Sequence, residues 1–418
     1  MRNLNANLGV YPPSNRVSSR FIVTLRAILA TQSKATAALI AVGILTACSP
    51  MPHTERLSED INLVGTWILE QDGSTMLDPQ TSGLTYRNGR LFSVSDGSAH
   101  ESQIQQLHEI NPVSGQIVGR LGPIVLAPAL QNSCFASYLS TRPDYEALVV
   151  MSDQANTWLI VTEDATRAGT LSEACQARFS NTGSSLHPTL VVKVELLDGV
   201  LTLTGVRAIQ FDKQDQVGDF PNDGIEGMAL TRDGRLLLGL EKDKNTQPRV
   251  FELALSDDFF EVLDEFAPVN DSGLLLPSFE SGNHPINGMD VYYPSDSSQG
   301  YLIAAARNDN ELWIMDLNKQ KPSRIIELSF SVRCSVPLGP NPDVLNSDGS
   351  NTPLEYSVHP IANSALEGVA VVEDRLYLIN DPWKKVYPDN TTCEHDQANY
   401  LKMAPMLFSM PLSAAWFN

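Results

Sequence analysis

Three times in this chain a short apolar run ends on a carboxylate at the same step from a leucine: Leu91 to Asp96, Leu236 to Glu241 and Leu376 to Asp381. Ahead of each lies another apolar run that opens on a polar residue and a glycine: Ser82-Gly83, Glu226-Gly227 and Glu367-Gly368. A looser copy opens on Asn287-Gly288-Met289-Asp290 and closes on Arg307, and a weaker one spans Ser133 to Asp153. Acids and amides at matched places in different repeats converge if the repeats surround an axis. Gathered there, their oxygens suit calcium, which takes six to eight oxygen ligands at flexible geometry. The candidate ligands are Glu226, Glu367, Asn287, Asp290 and Asp381, with Asp223 and Asn380 beside them. Lys242 and Lys244 follow Glu241, and Lys384 and Lys385 follow Asp381. With Asp96, Glu241 and Arg307, Lys242 and Lys384 form a candidate rim for an anionic ester held by a metal. The plainer reading is that each Gly serves a tight strand entry and each terminal acid caps a turn.

The elements that must position these groups are hairpins. Two runs of five or six residues rich in Val, Leu, Tyr and Phe, joined by a Gly-containing turn, are too short for helices. A hairpin repeated every 50 to 90 residues with further strands between predicts an all-β fold, a β-propeller of four-stranded blades. Five blades are counted and a sixth has room in residues 153–200. The expected sets are Leu84 to Arg87, Leu91 to Ser95, Ile104 to Ile110 and Gln116 to Leu121; then Phe135 to Leu139, Leu148 to Ser152, Thr189 to Leu196 and Leu201 to Ile209, with Trp158 to Thr162 unplaced. Next come Met228 to Thr231, Leu236 to Leu240, Val250 to Leu255 and Phe259 to Phe266, and then Met289 to Tyr293, Leu302 to Ala306, Leu312 to Leu317 and Ser323 to Leu328. The last set, Val369 to Val372, Leu376 to Ile379 and Met406 to Met410, lacks a fourth strand. The strand at Leu63 to Leu69 supplies it, closing the ring and removing an open edge.

Antiparallel pairing puts the entry of each first strand beside the exit of the second. Ser82 then neighbours Asp96, Glu226 neighbours Glu241, Glu367 neighbours Asp381, and Asn287 and Asp290 lie near Arg307, all at one channel mouth. The long loops Thr166 to Pro188, Ser331 to Ser364 and Pro382 to Lys402 leave from the same end. Four cysteines beyond Cys48 imply two disulfides in an exported chain, with three connectivities open. The loop placement favours Cys134 with Cys175 and Cys334 with Cys393.

The start of the chain predicts export. Residues 1–47 hold five of the 29 basic residues and none of the 49 acidic ones. A basic region, an apolar stretch from Ala35 to Ala47 and a small-residue site follow one another as in a secretory signal. The stretch falls short of the roughly 20 residues that span a membrane. Leu45-Thr46-Ala47-Cys48 resembles the bacterial lipobox, which implies acylation of Cys48, cleavage before it, and an outer-membrane address from Ser49. The expected domains are a signal over 1–47, a tether over 48–60 and one propeller over 61–418. Beyond the signal, 24 basic residues face 49 acidic ones, a net charge of −25. That excludes nucleic acid and anionic lipid as partners through charge. A monomer anchored to the membrane through Cys48 is expected, with a small ester or an envelope protein as partner.

Other chemistry is not signalled. There is no Gly-x-Ser-x-Gly elbow, no His-Glu-x-x-His and no phosphate-cradling loop. His284, His359 and His395 sit in or near the candidate loops and read as solvated.

The phrases Ser82-Gly83-Leu84 with Val94-Ser95-Asp96, and Ile225-Glu226-Gly227 with Glu241, resemble exported propellers named for esterase-like activity of phytase. They also resemble related calcium-dependent propellers that hold a metal in the central channel. The resemblance spans most of residues 63–412. It implies a calcium site, carried best by Glu226 and Glu367, and hydrolysis of a phosphate or carboxylate ester. Ser82 departs from an acid at the matching position. Two readings stand: a metal-dependent ester hydrolase of the cell envelope, and a non-catalytic lipoprotein that binds a ligand or protein on the same face.

Overall fold

The middle strands of this protein are apolar on both sides, and that dictates the architecture. All six residues of Thr157–Thr162 and of Tyr301–Ala306 are buried. A strand covered on both faces needs a sheet packed against each of them. The computed structural model describes residues 54–151, 156–162, 171–179, 189–217, 224–263, 265–295, 297–335 and 356–418. Cys48, Asp153 and Asp223 lie outside the described residues.

Among those residues the strands form five antiparallel sets of four. Blade 1 is Thr81–Arg87, Arg90–Ser95, Leu107–Ile110 and Ile117–Leu121. Blade 2 is Tyr145–Val150, Thr157–Thr162, Leu190–Leu197 and Val200–Gln210. Blade 3 is Ile225–Leu230, Arg235–Leu240, Arg249–Ala254 and the short Asn270–Asp271. Blade 4 is Ile286–Tyr292, Tyr301–Ala306, Glu311–Asp316 and Arg324–Ser335. Blade 5 is Leu366–Val372, Arg375–Asn380, Met406–Pro411 and, from the other end of the chain, Glu55–Trp67.

The innermost strands pack side by side in a closed order, 1-2-3-4-5 and back to 1. The apolar core divides the same way, into one cluster at each junction. Trp158 and Phe92 pack between blades 1 and 2, Phe251 and Leu159 between 2 and 3, Trp313 and Leu237 between 3 and 4. Phe408 and Ile303 lie between blades 4 and 5, and Ile68 and Leu84 close the ring between 5 and 1. The β-propeller expectation therefore holds, with five blades among the described residues.

Closure by the N-terminal strand also holds, in a fuller form. Thr66 and Trp67 pair with Leu407 and Met406 of blade 5. Earlier in the same strand, Glu55 to Gly65 run parallel to Arg324 to Val332 of blade 4. One strand thus clasps two blades. The tether expected over 48–60 is corrected on this point, because the strand begins at Glu55.

Blade 2 corrects the sequence reading most. Trp158–Thr162 is its second strand, not an extra one. Ala147 to Val150 belongs to the innermost strand, not the second. Phe135 to Leu139 is no strand, since Ala136–Leu139 is a short helix. In blade 3, Phe259 to Phe266 is not the outer strand; that role falls to Asn270–Asp271. The loop expected from Ser331 begins as strand, and Tyr356–Ile361 returns to pair with it.

Both disulfides join as the loop placement favoured, Cys134 to Cys175 and Cys334 to Cys393.

Candidate functional site

Each innermost strand carries a β-bulge at the same place. The register slips between Ser82 and Thr85, Tyr145 and Ala147, Ile225 and Gly227, Ile286 and Met289, and Leu366 and Gly368. A bulge adds one unpaired residue and re-aims its side chain. The matching residues are Ser82, which stands just ahead of its bulge and still pairs with Val94, and Glu146, Glu226, Asn287 and Glu367, which fall within theirs. The glycine after four of them has a packing cause. A Cβ on Gly288 would stand 2.7 Å from the Glu367 carbonyl oxygen, and one on Gly368 2.8 Å from the Gly83 carbonyl carbon. Neighbouring inner strands come too close there for any side chain. Blade 2 has Glu146-Ala147 instead, so its ring residue carries no glycine signal and escaped the sequence reading.

The register confirms which strand ends meet. Thr81 pairs with Ser95, Ile225 with Leu240, Ile286 with Ala306 and Leu366 with Asn380. The next residues along, Asp96, Glu241, Arg307 and Asp381, therefore leave the second strands at the same end as the bulges.

Arg307 is the centre of what they build. Its guanidinium lies 3.3 Å from Glu367 Oε2 and 3.1 Å from Asp381 Oδ2. Glu226 and Glu241 add to its field. Asn287 Nδ2 donates to Glu367 Oε1 at 3.2 Å, and Glu226 hydrogen-bonds the same carboxyl. Glu226, Asn287, Glu367 and Asp381 are all buried. Four carboxyls thus share one guanidinium. Among the described residues three buried acceptors in this group have no hydrogen-bond donor, Asn287 Oδ1, Asp381 Oδ1 and Glu367 Oε2, the last being ion-paired with Arg307.

Asp96 extends the acid cluster. It accepts from the Ser98 amide, and from Ser98 Oγ at 3.0 Å. Burial, helped by Asp381 and Asp144, pushes its carboxyl up to about 7. Burial likewise pushes Glu367 and Asp381 up to about 7, against the pull of Arg307. These carboxyls hold protons in the fold that they release in the unfolded chain, where Asp and Glu titrate near 3.8 and 4.5. Their folded values are raised, so the native state binds more protons between about 4 and 7. Stability then falls as pH rises through that window. His108 runs the other way but titrates mainly below 6.5. The melting temperature is expected to be higher at pH 6 than at pH 8 by at least about 3 °C. A flat or rising calorimetric profile would refute the buried-acid assignment.

Other expected residues fall elsewhere. Asp290 does not join the Arg307 group. Its Oδ2 accepts from Val371 N and its Oδ1 from Val291 N, both at 2.7 Å, clasping blades 4 and 5. Lys384 pairs with Asp78 at 3.0 Å on the rim, and Lys242 follows Glu241 there, half-buried. Asn380 Oδ1 accepts from Met406 N and is structural.

A buried Ser–His pair is also present, with Ser95 Oγ 2.9 Å from His108 Nε2. It is no nucleophile pair. Where a triad places an acid, Arg120 approaches His108 Nδ1, and burial first and Arg120 second push the imidazole down to about 3. At His284 both ring nitrogens face oxygens, Nδ1 the Asp309 carboxylate at 2.9 Å and Nε2 the Ser281 carbonyl at 3.0 Å.

Among the described residues, the groups of three carboxylate, imidazole or sulfur ligands that converge include only Cys334, Cys393 and Asp396, whose sulfurs are joined in a disulfide. At the mouth, Arg307 holds the oxygens of Glu367 and Asp381 that a cation would need.

No family model matches the chain, and no curated protein matches it. Solved structures do. Glutaminyl cyclase of Myxococcus xanthus is 12% identical, over 77% of this chain and 93% of that one, with a TM-score of 0.34. A Bacteroides fragilis protein described as exported is 12% identical, over 86% and 99%, with a TM-score of 0.35. The Malassezia sympodialis allergen Mala s 1 is 12% identical, over 85% and 97%, with a TM-score of 0.38. At such values the blade assignment rests on the strand pairing and junction cores above. No helix of the described residues is long and apolar enough to cross a membrane.

Proposed function

We propose that this protein is an envelope-side propeller whose acidic mouth binds a hydrogen-bond-donating ligand, a neutral polyhydroxyl compound or a small cation. The observation that supports this is the imbalance around Arg307: four carboxyls against one guanidinium, with Asn287 Oδ1, Asp381 Oδ1 and Glu367 Oε2 lacking hydrogen-bond donors among the described residues. A buried acceptor without a donor costs about 1–3 kcal/mol, which a hydroxyl or ammonium group would relieve. An anionic ester fits poorly, because Arg307 and Lys384 are already committed to acids. The phytase-like reading therefore keeps its exported propeller and loses its phosphate substrate. Anchoring through an acylated Cys48 belongs to the same proposal. Calcium enters as a competitor that must displace Arg307.

A second reading, hydrolysis of a neutral ester or glycoside, draws on the carboxyls raised to about 7. Near neutral pH such a cluster offers a protonated acid and an ionised base together.

Calorimetric titration with lactose, tetramethylammonium, calcium and inorganic phosphate tests the proposal. At least one of the first three is expected to bind saturably and to weaken about tenfold or more in Glu367→Gln. Saturable phosphate binding that Arg307→Ala abolishes would overturn the proposal and restore an anionic substrate.

A further inference from the structure

Among the described residues blade 3 has the shortest outer strand, Asn270–Asp271, which pairs only with Phe251 and Glu252. Beyond Glu252 no outer strand covers the third strand of that blade among the described residues. The chain that follows crosses to blade 2 instead, where Ala267–Pro268 pairs with Ile209 and Gln210. A corner between the two blades is left open. It holds a cavity of about 400 Å³, within the roughly 300–1,000 Å³ of small-molecule sites. The turn from Thr231 to Gly234, which joins the first two strands of blade 3, borders it. The cavity therefore lies at the end of the blades opposite to the mouth.

Its wall is apolar and fixed. Leu230, Leu255 and Phe260 line it and pack on the junction core, beside the buried Phe259. The two phenylalanine rings meet edge-on with centroids 4.8 Å apart. A Cβ on Gly205 would stand 2.7 Å from the Phe260 ring, so that ring lies directly on the blade 2 backbone. Arg207 of blade 2 donates to the carbonyls of Phe259 at 3.4 Å and Phe266 at 3.5 Å, and to that of Val262. The crossing segment is thus tied to blade 2 as well as to the blade it leaves.

Three charged residues border this wall: Lys193, Arg232 and Asp257. Lys193 is met from within the protein, by Glu195 at 3.2 Å. Among the described residues no ion pair takes up Arg232 or Asp257. Arg232 is held all the same. Its backbone N–H donates to the Tyr293 hydroxyl at 3.1 Å, and its guanidinium carbon stands 4.1 Å from the centre of the Tyr293 ring. Stacking on a ring fixes the cation and leaves its N–H donors for another partner. Single solvated charges are ordinary on a surface. Here one charge of each sign borders the same apolar cavity. A simple anion would meet Arg232 but be repelled by Asp257, and a simple cation the reverse. A small ligand with both charges on an apolar body matches all three features.

We propose that this cavity binds an apolar α-amino acid as its zwitterion, with the carboxylate at Arg232, the ammonium at Asp257 and the side chain against Leu255 and Phe260. The site is separate from the mouth and does not rest on the reading given for it.

Calorimetric titration of the full chain with phenylalanine, leucine and methionine gives the test. N-acetylphenylalanine, without the ammonium, phenylalaninamide, without the carboxylate, and serine, without the apolar side chain, are run beside them. At least one of the first three is expected to bind saturably, and the three deficient compounds at least fivefold more weakly. Arg232→Gln and Asp257→Asn should each weaken the free amino acid at least fivefold, and Arg232→Lys should recover part of the loss. Both side chains are exposed, so the melting temperature should stay within about 2 °C. N-acetylphenylalanine binding as tightly as phenylalanine would overturn the zwitterion. Binding that both variants keep but Glu367→Gln loses would assign the amino acid to the mouth and overturn the cavity site. No saturable binding of any of the first three also overturns the proposal, and leaves the reading of the mouth standing.

Discussion

Gly288→Ala is expected to destabilise the protein by about 3 kcal/mol or more, at the upper end of what overpacking costs. The added Cβ would meet three backbone atoms of blade 5: Glu367 O at 2.7 Å, Gly368 C at 2.9 Å and Val369 N at 2.9 Å. None is the end of a flexible side chain, so a strand must move. In an open sheet one strand could shift outward. Here the innermost strands touch in a closed order, and displacing one presses on the next. The same shift would carry Glu367 away from Asn287 and Arg307. Gly234 provides the control. It has a φ of +80° and nothing within 4 Å of its would-be Cβ. Gly234→Ala is therefore expected to cost about 1 kcal/mol, from backbone strain alone. Denaturant midpoints separate the two. Equal losses would mean that close approach of the inner strands does not limit the ring.

That contrast explains what was legible in the sequence. The repeated glycines record contacts between blades, and contacts repeated by symmetry leave a repeated phrase. The propeller, its closing strand and both disulfides follow from it. Blade 2 breaks the phrase, with Ala147 where the others have glycine, so the sequence pattern shifts its strands by one and gives no sign of Glu146. Residues 55–60 read as a tether because their polarity is that of an outer strand half in water. Their partners, Arg324 to Leu328, lie far along the chain and leave no local trace. Asp290 looked like a ligand because it is a carboxylate in the right phrase. Only the backbone amide of Val371, on another blade, decides its role. By its spacing in the repeat, Arg307 reads as a rim contact for substrate. Its position among the acids depends on blades 3, 4 and 5 together, which no spacing within one repeat encodes.

Arg307→Ala should be the most damaging single change at the mouth, and its cost should depend on pH. Removing one partner of a buried ion pair leaves an uncompensated charge and typically costs 3–5 kcal/mol. Arg307 has two such partners, Glu367 and Asp381, and the variant leaves both beside Glu226 and Glu241 without a cation. Burial already raises the two carboxyls to about 7, and Arg307 is what restrains them. Without it they rise further, so at pH 6 the variant escapes much of the penalty by keeping them protonated. At pH 8 protonation no longer relieves it fully. The loss relative to the wild type should therefore grow from pH 6 to pH 8 and reach about 4 kcal/mol. Arg307→Lys should recover part of it, keeping the charge but not the fork that reaches both acids at once. Calcium should stabilise Arg307→Ala more than the wild type, since the position of the guanidinium is then open to another cation. A loss that is the same at both pH values and below about 1 kcal/mol would mean that the guanidinium does not hold this cluster together.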